Sequence, residues 1–201
     1  MRSCSRRAAL RIGLALTLSS CSDGGSDASP VAAPTPAPTR PGPTEEDFAV
    51  WDALLAKVGS GESLLVSAVT LPVDPVFSGT PIRNESEVAR ADSCARNATS
   101  TQLEGRFAGT ARVEVLPLQE EHKIFSGRRD KDFEFDELFR RHPGATGLYS
   151  LGLPGFDAAR REALVFYVRD GPFPMWSLSS CRLTREGTRW HADEPVLLLC
   201  E

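Results

Sequence analysis

The chain has 201 residues, with 23 Lys and Arg against 27 Asp and Glu, for a formal net charge of −4. An acidic balance of this kind argues against a nucleic-acid partner or an anionic-lipid surface, either of which asks for a basic patch. The five cysteines, three histidines and fifteen prolines are few enough to be placed one by one.

The first twenty residues have the layout of a secretory leader. Arg2, Arg6, Arg7 and Arg11 form a basic flank, Ile12 to Leu18 a short apolar run, and Ser19 and Ser20 a small-residue exit. The run is far below the roughly 20 residues that cross a bilayer, so no permanent transmembrane helix is expected there. Its end, Leu18-Ser19-Ser20-Cys21, resembles a bacterial lipobox. The resemblance implies diacylglycerol on the Cys21 thiol, cleavage before Cys21, and in many bacteria a further palmitate-type chain on the new amino terminus. One acyl chain holds a membrane only marginally, at about 0.8 kcal/mol per buried methylene, whereas two or three anchor it stably. Ser22 stands where an Asp would retain such a protein in the inner membrane, which implies the outer membrane rather than the inner. With the four leader arginines gone, 19 basic residues face 27 acidic ones, so the mature charge is about −8.

Ser22 to Thr44 contains six prolines, three glycines and one aliphatic residue larger than alanine, Val31. Such a segment cannot offset its chain entropy and is expected to stay disordered. In extended polyproline form it would reach on the order of 70 Å, at about 3.1 Å per residue. The expected organisation is therefore a signal peptide over 1–20, a lipidated Cys21 with its tether over 21–44, and one globular domain over 45–201.

Thr44 followed by Glu45, Glu46 and Asp47 predicts a helix start, Phe48, Trp51, Leu55 and Val58 its apolar stripe, and Gly59 its end. "SLLVSAVT" predicts a buried strand, followed by a loop carrying Pro72, Pro75 and Pro81. "NESEVARADSCARN" predicts a second helix with Val88, Ala91 and Ala95 on its buried face. "ARVEVLPL" alternates as a strand does, and "DFEFDELFRRHPG" predicts a helix with Phe135, Leu138, Phe139 and His142 in one stripe. Beyond it, "TGLYSLGLPGF", "EALVFYVRD", "PMWSLSSCRLTRE" and "TRWHADEPVLLL" predict strands joined by turns at 155–159, 171–174 and 186–187. Connections this short force antiparallel neighbours. The expected fold is α+β, an antiparallel sheet ending in a C-terminal β-meander, with helices packed on one face.

The stretch 125–190 resembles a recurrent domain of secreted and lipid-anchored bacterial proteins that carries no assigned activity. The matching residues are Phe139, Pro143, Gly147, Leu151, Gly155, Phe156, Ala163, Leu164, Val165, Tyr167, Val168, Gly187 and Trp190. The chain departs from that pattern at "PFPMWSLSS", where glycines are usual. The resemblance implies fold and compartment and transfers no catalytic residue.

Motifs for chemistry fail individually. "GLYSLG" misses the nucleophile-elbow spacing by one residue at Ser150. His122, His142 and His191 share no metal-binding spacing. The acidic run Asp130 to Glu137 has Phe135 and Arg141 where a calcium loop needs glycine and a carboxylate, and it fits an acid-rich helix start instead. The "NES" and "NAT" tripeptides match glycosylation acceptors but are incidental in a bacterial chain. The aromatics Phe133, Phe135, Phe139, Phe156, Phe166, Tyr167, Trp176 and Trp190 are expected in the core. No catalytic residue, metal or cofactor is assigned.

"GPFPMW" is different, because Phe173, Met175 and Trp176 are costly to leave in water uncovered. They are the candidate edge for binding a partner or ligand, the alternative being a loop buried against the domain. The function that follows is a lipid-anchored envelope protein presenting a small non-catalytic binding domain to a protein or glycan partner. The alternatives are a hydrolase inhibitor and an enzyme with scattered residues. A deep pocket with converging His, Asp or Glu would favour the enzyme, and an aromatic edge near Phe173 would favour binding.

Once Cys4 leaves with the leader and Cys21 is acylated, Cys94, Cys181 and Cys200 remain for an oxidising compartment. A two-residue turn at Glu186-Gly187 sets Arg185 opposite Thr188, Cys181 opposite Ala192 and Cys200 opposite Phe173. Cys181 and Cys200 are then too far apart to bridge. The favoured pair is Cys94–Cys200, with Cys94–Cys181 close behind.

Overall fold

The computed structural model describes residues 42–59, 63–73, 86–103, 107, 112–125, 131–172 and 176–200. Four helices and eight strands occur among them, in one α+β domain. In chain order they are α1 (Glu45–Val58), β1 (Ser63–Ser67), α2 (Glu87–Arg96), β2 (Arg112–Leu116), α3 (Leu118–Ile124) and α4 (Lys131–Arg141). Then come β3 (Ala145–Leu151), β4 (Gly155–Phe156), β5 (Glu162–Asp170), β6 (Ser177–Glu186), β7 (Arg189–Ala192) and β8 (Val196–Cys200).

The sheet runs β2-β1-β3-β5-β6-β7, with β4 beside β5 and β8 beside β6. From β3 onward every pairing is antiparallel, as the short turns require. The sheet is mixed, however, because β1 pairs in parallel with both β2 and β3. Long connections make that possible: one carries α2, and the other carries α3 and α4. The short helix α3 was not anticipated from the sequence.

The helices occupy both faces. On one face α1 lays Phe48, Trp51, Leu54 and Leu55 over Leu64, Val66, Tyr149, Leu151, Val165, Cys181, Leu183 and Trp190. On the other, α3 and α4 bury Ile124, Phe135 and Leu138 against Leu65 and Leu148, while α2 sets Ala89 beside Leu164 and Phe166. Strand alternation explains the division: Leu65 and Leu148 point one way, and their neighbours Val66 and Tyr149 the other. Both faces of the central strands are apolar, so one helical layer could not cover them.

α1 begins as the sequence predicts. The Thr44 hydroxyl accepts from the Asp47 amide, and the Asp47 carboxylate accepts from the Thr44 amide. Fully buried Asp47 also receives both guanidinium nitrogens of Arg96, at 2.8 Å each. That bidentate pair joins the start of α1 to the end of α2. Trp51 is anchored by its indole nitrogen, which donates to the Gly152 carbonyl at 2.9 Å.

The second helix forms where expected but turns another face inward. Val88, Ala91 and Ala95 are exposed, and Ala89 and Ser93 are buried. The reason is close approach at β4: a Cβ on Gly155 would lie 2.0 Å from the Ala89 carbonyl oxygen and 2.1 Å from the Ser93 nitrogen. Only small residues let the backbones come this near, so the buried face is small and polar rather than the most apolar one.

The last segment also differs in detail. "TRWHADEPVLLL" forms two strands, broken at 193–195, both paired with β6. The β6–β7 turn is Gly187-Thr188, so Glu186 faces Arg189 and Arg185 faces Trp190. Gly187 has φ +63° and takes the first central position, as a type II′ turn demands, instead of the second. Of the aromatics expected in the core, Phe133 is half exposed, while Phe139 and Trp176 are only partly buried.

Candidate functional site

Phe173 and Met175 of the expected binding edge lie outside the described residues, as does Cys21. Trp176 is described and partly buried, immediately before β6. The next residue, Ser177, pairs with Cys200 at the end of β8, and Leu178 pairs with Leu199. The segment singled out from composition therefore runs directly into the part of β6 that carries β8.

β8 is the unusual element. Val196, Leu197 and Leu199 are 42%, 57% and 43% exposed, and Cys200 is exposed as well. Among the described residues its only strand partner is β6, so its outer backbone edge faces no strand. No residue from Val196 to Cys200 is charged. The adjoining β7 is defended by contrast: Arg189 and His191 are exposed, and Trp190 turns inward beneath α1. Charge on an edge strand keeps other chains from pairing with it, and β8 lacks that protection. Sequence reading missed this edge because an uncharged "VLLLC" resembles a buried strand; only the neighbours show that, among the described residues, no strand but β6 lies beside it.

A cleft of about 280 Å³ opens between α3, α4 and strands β3 and β5. Phe125, Phe135, Leu148 and Val168 line its apolar part, and Glu121, Glu134 and Asp170 its polar part. Glu121 accepts a hydrogen bond from the Ser67 hydroxyl at 2.7 Å, and Glu134 is buried. Ser150, the residue nearest to an elbow motif, borders the same cleft. The sequence contained a signal for Glu134, which stands four residues before Leu138 on the inner face of α4.

The histidines stand apart. His122 and His191 are exposed, and His191 lies 3.6 Å from Glu186. His142 follows α4 with its Nδ1 2.9 Å from Glu114 on β2 and its Nε2 3.6 Å from Glu120 on α3. It borders a smaller hollow of about 140 Å³ together with Ser63 and Arg141. Among the described residues no group of three or more His, Cys, Asp or Glu is placed to hold a metal. None of the described helices is long and apolar enough to cross a membrane.

Cys94, Cys181 and Cys200 are all unbridged, so neither Cys94–Cys200 nor Cys94–Cys181 is formed. Sheet geometry supplies the reason. Cys181 faces α1, and Cys200 pairs with Ser177, which alternation puts on that same face. Cys94 packs on the opposite face, beside Leu164 and Phe166. Cys181 and the Cys200 position opposite Ser177 are four residues apart along β6, roughly 13 Å at 3.3 Å per residue. Burial pushes the Cys181 thiol up to about 12, with the Asp193 carboxylate adding to the effect. Its Sγ donates to the carbonyls of Arg182 and Asp193 at 3.4 Å. This thiol behaves as a small core side chain rather than a nucleophile.

No protein-family model, no curated protein and no solved structure matches the chain.

Proposed function

We propose that this is a lipid-anchored protein of the bacterial cell envelope, held by acylated Cys21, whose 45–201 domain serves as a binding module on a proline-rich tether. The outer membrane is favoured over the inner. The observation that carries the anchoring is the complete "LSSC" behind a basic flank and a short apolar run. The binding role is supported by β8, an apolar strand whose uncharged outer edge, close to Trp176, has no strand partner among the described residues. Such an edge offers main-chain hydrogen bonds for affinity and alternate side chains for specificity to an incoming strand.

A second reading, an enzyme or a small-ligand binder, is favoured by the cleft of Glu121, Glu134 and Asp170. Its three carboxylates share the lining with the aromatic rings of Phe125 and Phe135. The two readings separate on where damage is felt. Leu197→Lys with Leu199→Lys abolishes partner capture from envelope extracts under the binding reading, and Glu134→Gln leaves capture intact.

The anchor is tested in cells fed labelled palmitate. The wild-type chain takes up label and sediments with membranes. Cys21→Ser takes up none and is recovered as unprocessed or soluble protein. Unchanged labelling and fractionation of that variant would refute the anchor.

A further inference from the structure

We propose that His142 is a proton-operated clasp: its imidazolium holds the end of α4 to β2 and α3, and loss of that proton loosens α3. The proposal depends on neither the anchor nor the β8 edge. It holds whether or not the cleft beside α3 takes a ligand.

The ring lies just past the last turn of α4, and its backbone amide donates to the Leu138 carbonyl at 2.9 Å. A cation is favoured at that end of a helix. The side chain is only 10% exposed, and carboxylates from two other elements face its two nitrogens. Glu114 of β2 stands 2.9 Å from Nδ1, and Glu120 of α3 stands 3.6 Å from Nε2. A neutral imidazole carries one N–H and one lone pair. Whichever nitrogen holds the proton, the other turns its lone pair toward a carboxylate oxygen, which repels it. Nε2 is buried and has no hydrogen-bond partner among the described residues, so nothing there offsets the repulsion. Only the imidazolium presents a donor to both carboxylates.

The other charged groups at this joint are Arg140, Arg141 and Glu137 of α4. Arg141 reaches Glu120 at 3.4 Å and Glu137 at 2.7 Å, and Arg140 also pairs with Glu137. Arg141 is thus shared between two carboxylates, and Glu120 draws on His142 for a second cation. Of the residue types gathered here, only histidine ordinarily changes charge between about pH 5 and 8. The small hollow beside the ring gives protons a route to it.

α3 is the element that responds. It has seven residues and no side-chain cap at its start, too little to hold a helix without packing. It carries Glu121 and is followed by Phe125, and both line the 280 Å³ cleft together with Glu134 and Phe135 of α4. Releasing Glu120 therefore loosens one wall of that cleft as pH rises, and protonation fastens it again.

The test uses the full-length Cys21→Ser chain. Amide hydrogen exchange of residues 121–125, corrected for the intrinsic effect of pH, is measured at about pH 5.5 and about pH 8. Protection is expected to fall about fivefold at the higher pH, the upper range of an exposed ion pair. His142→Gln is expected to lose this pH response. Glu120→Gln, which removes only the carboxylate facing Nε2, is expected to lose it as well, and circular dichroism checks that both variants fold. His122→Gln, which removes the exposed histidine of α3, is expected to keep it. Protection that does not change with pH in the parent chain overturns the proposal. So does an undiminished response in His142→Gln or Glu120→Gln, or its loss in His122→Gln.

Discussion

Trp190 shows how much one side chain holds. It is 8% exposed, packs 5.9 Å from Phe156 and closes the α1 face where β7 begins. Trp190→Ala is expected to cost about 3–5 kcal/mol, as large aromatic truncations do. Urea denaturation measures it, and a loss under about 1 kcal/mol would mean the side chain packs against nothing that matters. Cys181 makes a different prediction. Its proton is held more tightly in the folded chain than in the unfolded one, since burial pushes the thiol from 9.0 up to about 12. The unfolded thiol ionises first as pH rises. The contribution is therefore complete below about pH 9 and is lost as pH climbs toward about 12. Tyr167, also pushed up to about 12 by burial, acts in the same direction. The urea midpoint is expected to fall across this window, and Cys181→Ala to fall less steeply. An equal slope in both proteins would refute the account.

At the scale of elements, the attachment of α2 to β4 and α1 is the most sensitive joint. Gly155 admits no Cβ without displacing the α2 backbone, which stands 2.0 Å from where that atom would be. Gly155→Ala is expected to cost about 1–3 kcal/mol by overpacking. Val88→Lys on the outer face of α2 is expected to change stability by less than about 0.5 kcal/mol. The reverse ranking in thermal denaturation would restore the face predicted from periodicity. Arg96 ties the same helix to α1. Its removal would leave the Asp47 carboxylate, fully buried, without its charge partner. Arg96→Ala is expected to cost roughly 3–5 kcal/mol, and Arg96→Lys to recover only part of it, because one ammonium cannot reproduce two parallel bonds. Full recovery by lysine, measured by urea denaturation, would show that charge alone suffices.

At the scale of the whole molecule, the division into leader, tether and domain makes its own prediction. A chain lacking residues 1–41, which keeps the Thr44 cap of α1, is expected to unfold in a single cooperative transition at the midpoint of the Cys21→Ser full-length chain. A midpoint several degrees lower in scanning calorimetry would mean that the first 41 residues contribute to the stability of the domain.

Local patterns were legible in the sequence without help. Thr44 with Asp47 announces the start of α1, because a cap is built from residues three apart. Alternation and short turns announce the antiparallel strands after Ala145, because such neighbours follow each other in the chain. Tertiary structure decided what depends on distant partners. The parallel pairing of β1 with β2 and β3 follows from long connections whose course no local pattern specifies. The inward face of α2 was set by Gly155, more than sixty positions from Ala89 along the chain. The separation of Cys94 from Cys181 and Cys200 required knowing which face of the sheet each occupies. "VLLLC" is equally suited to a core and to an edge, and only its position in the sheet shows that β6 alone among the described strands lies beside it.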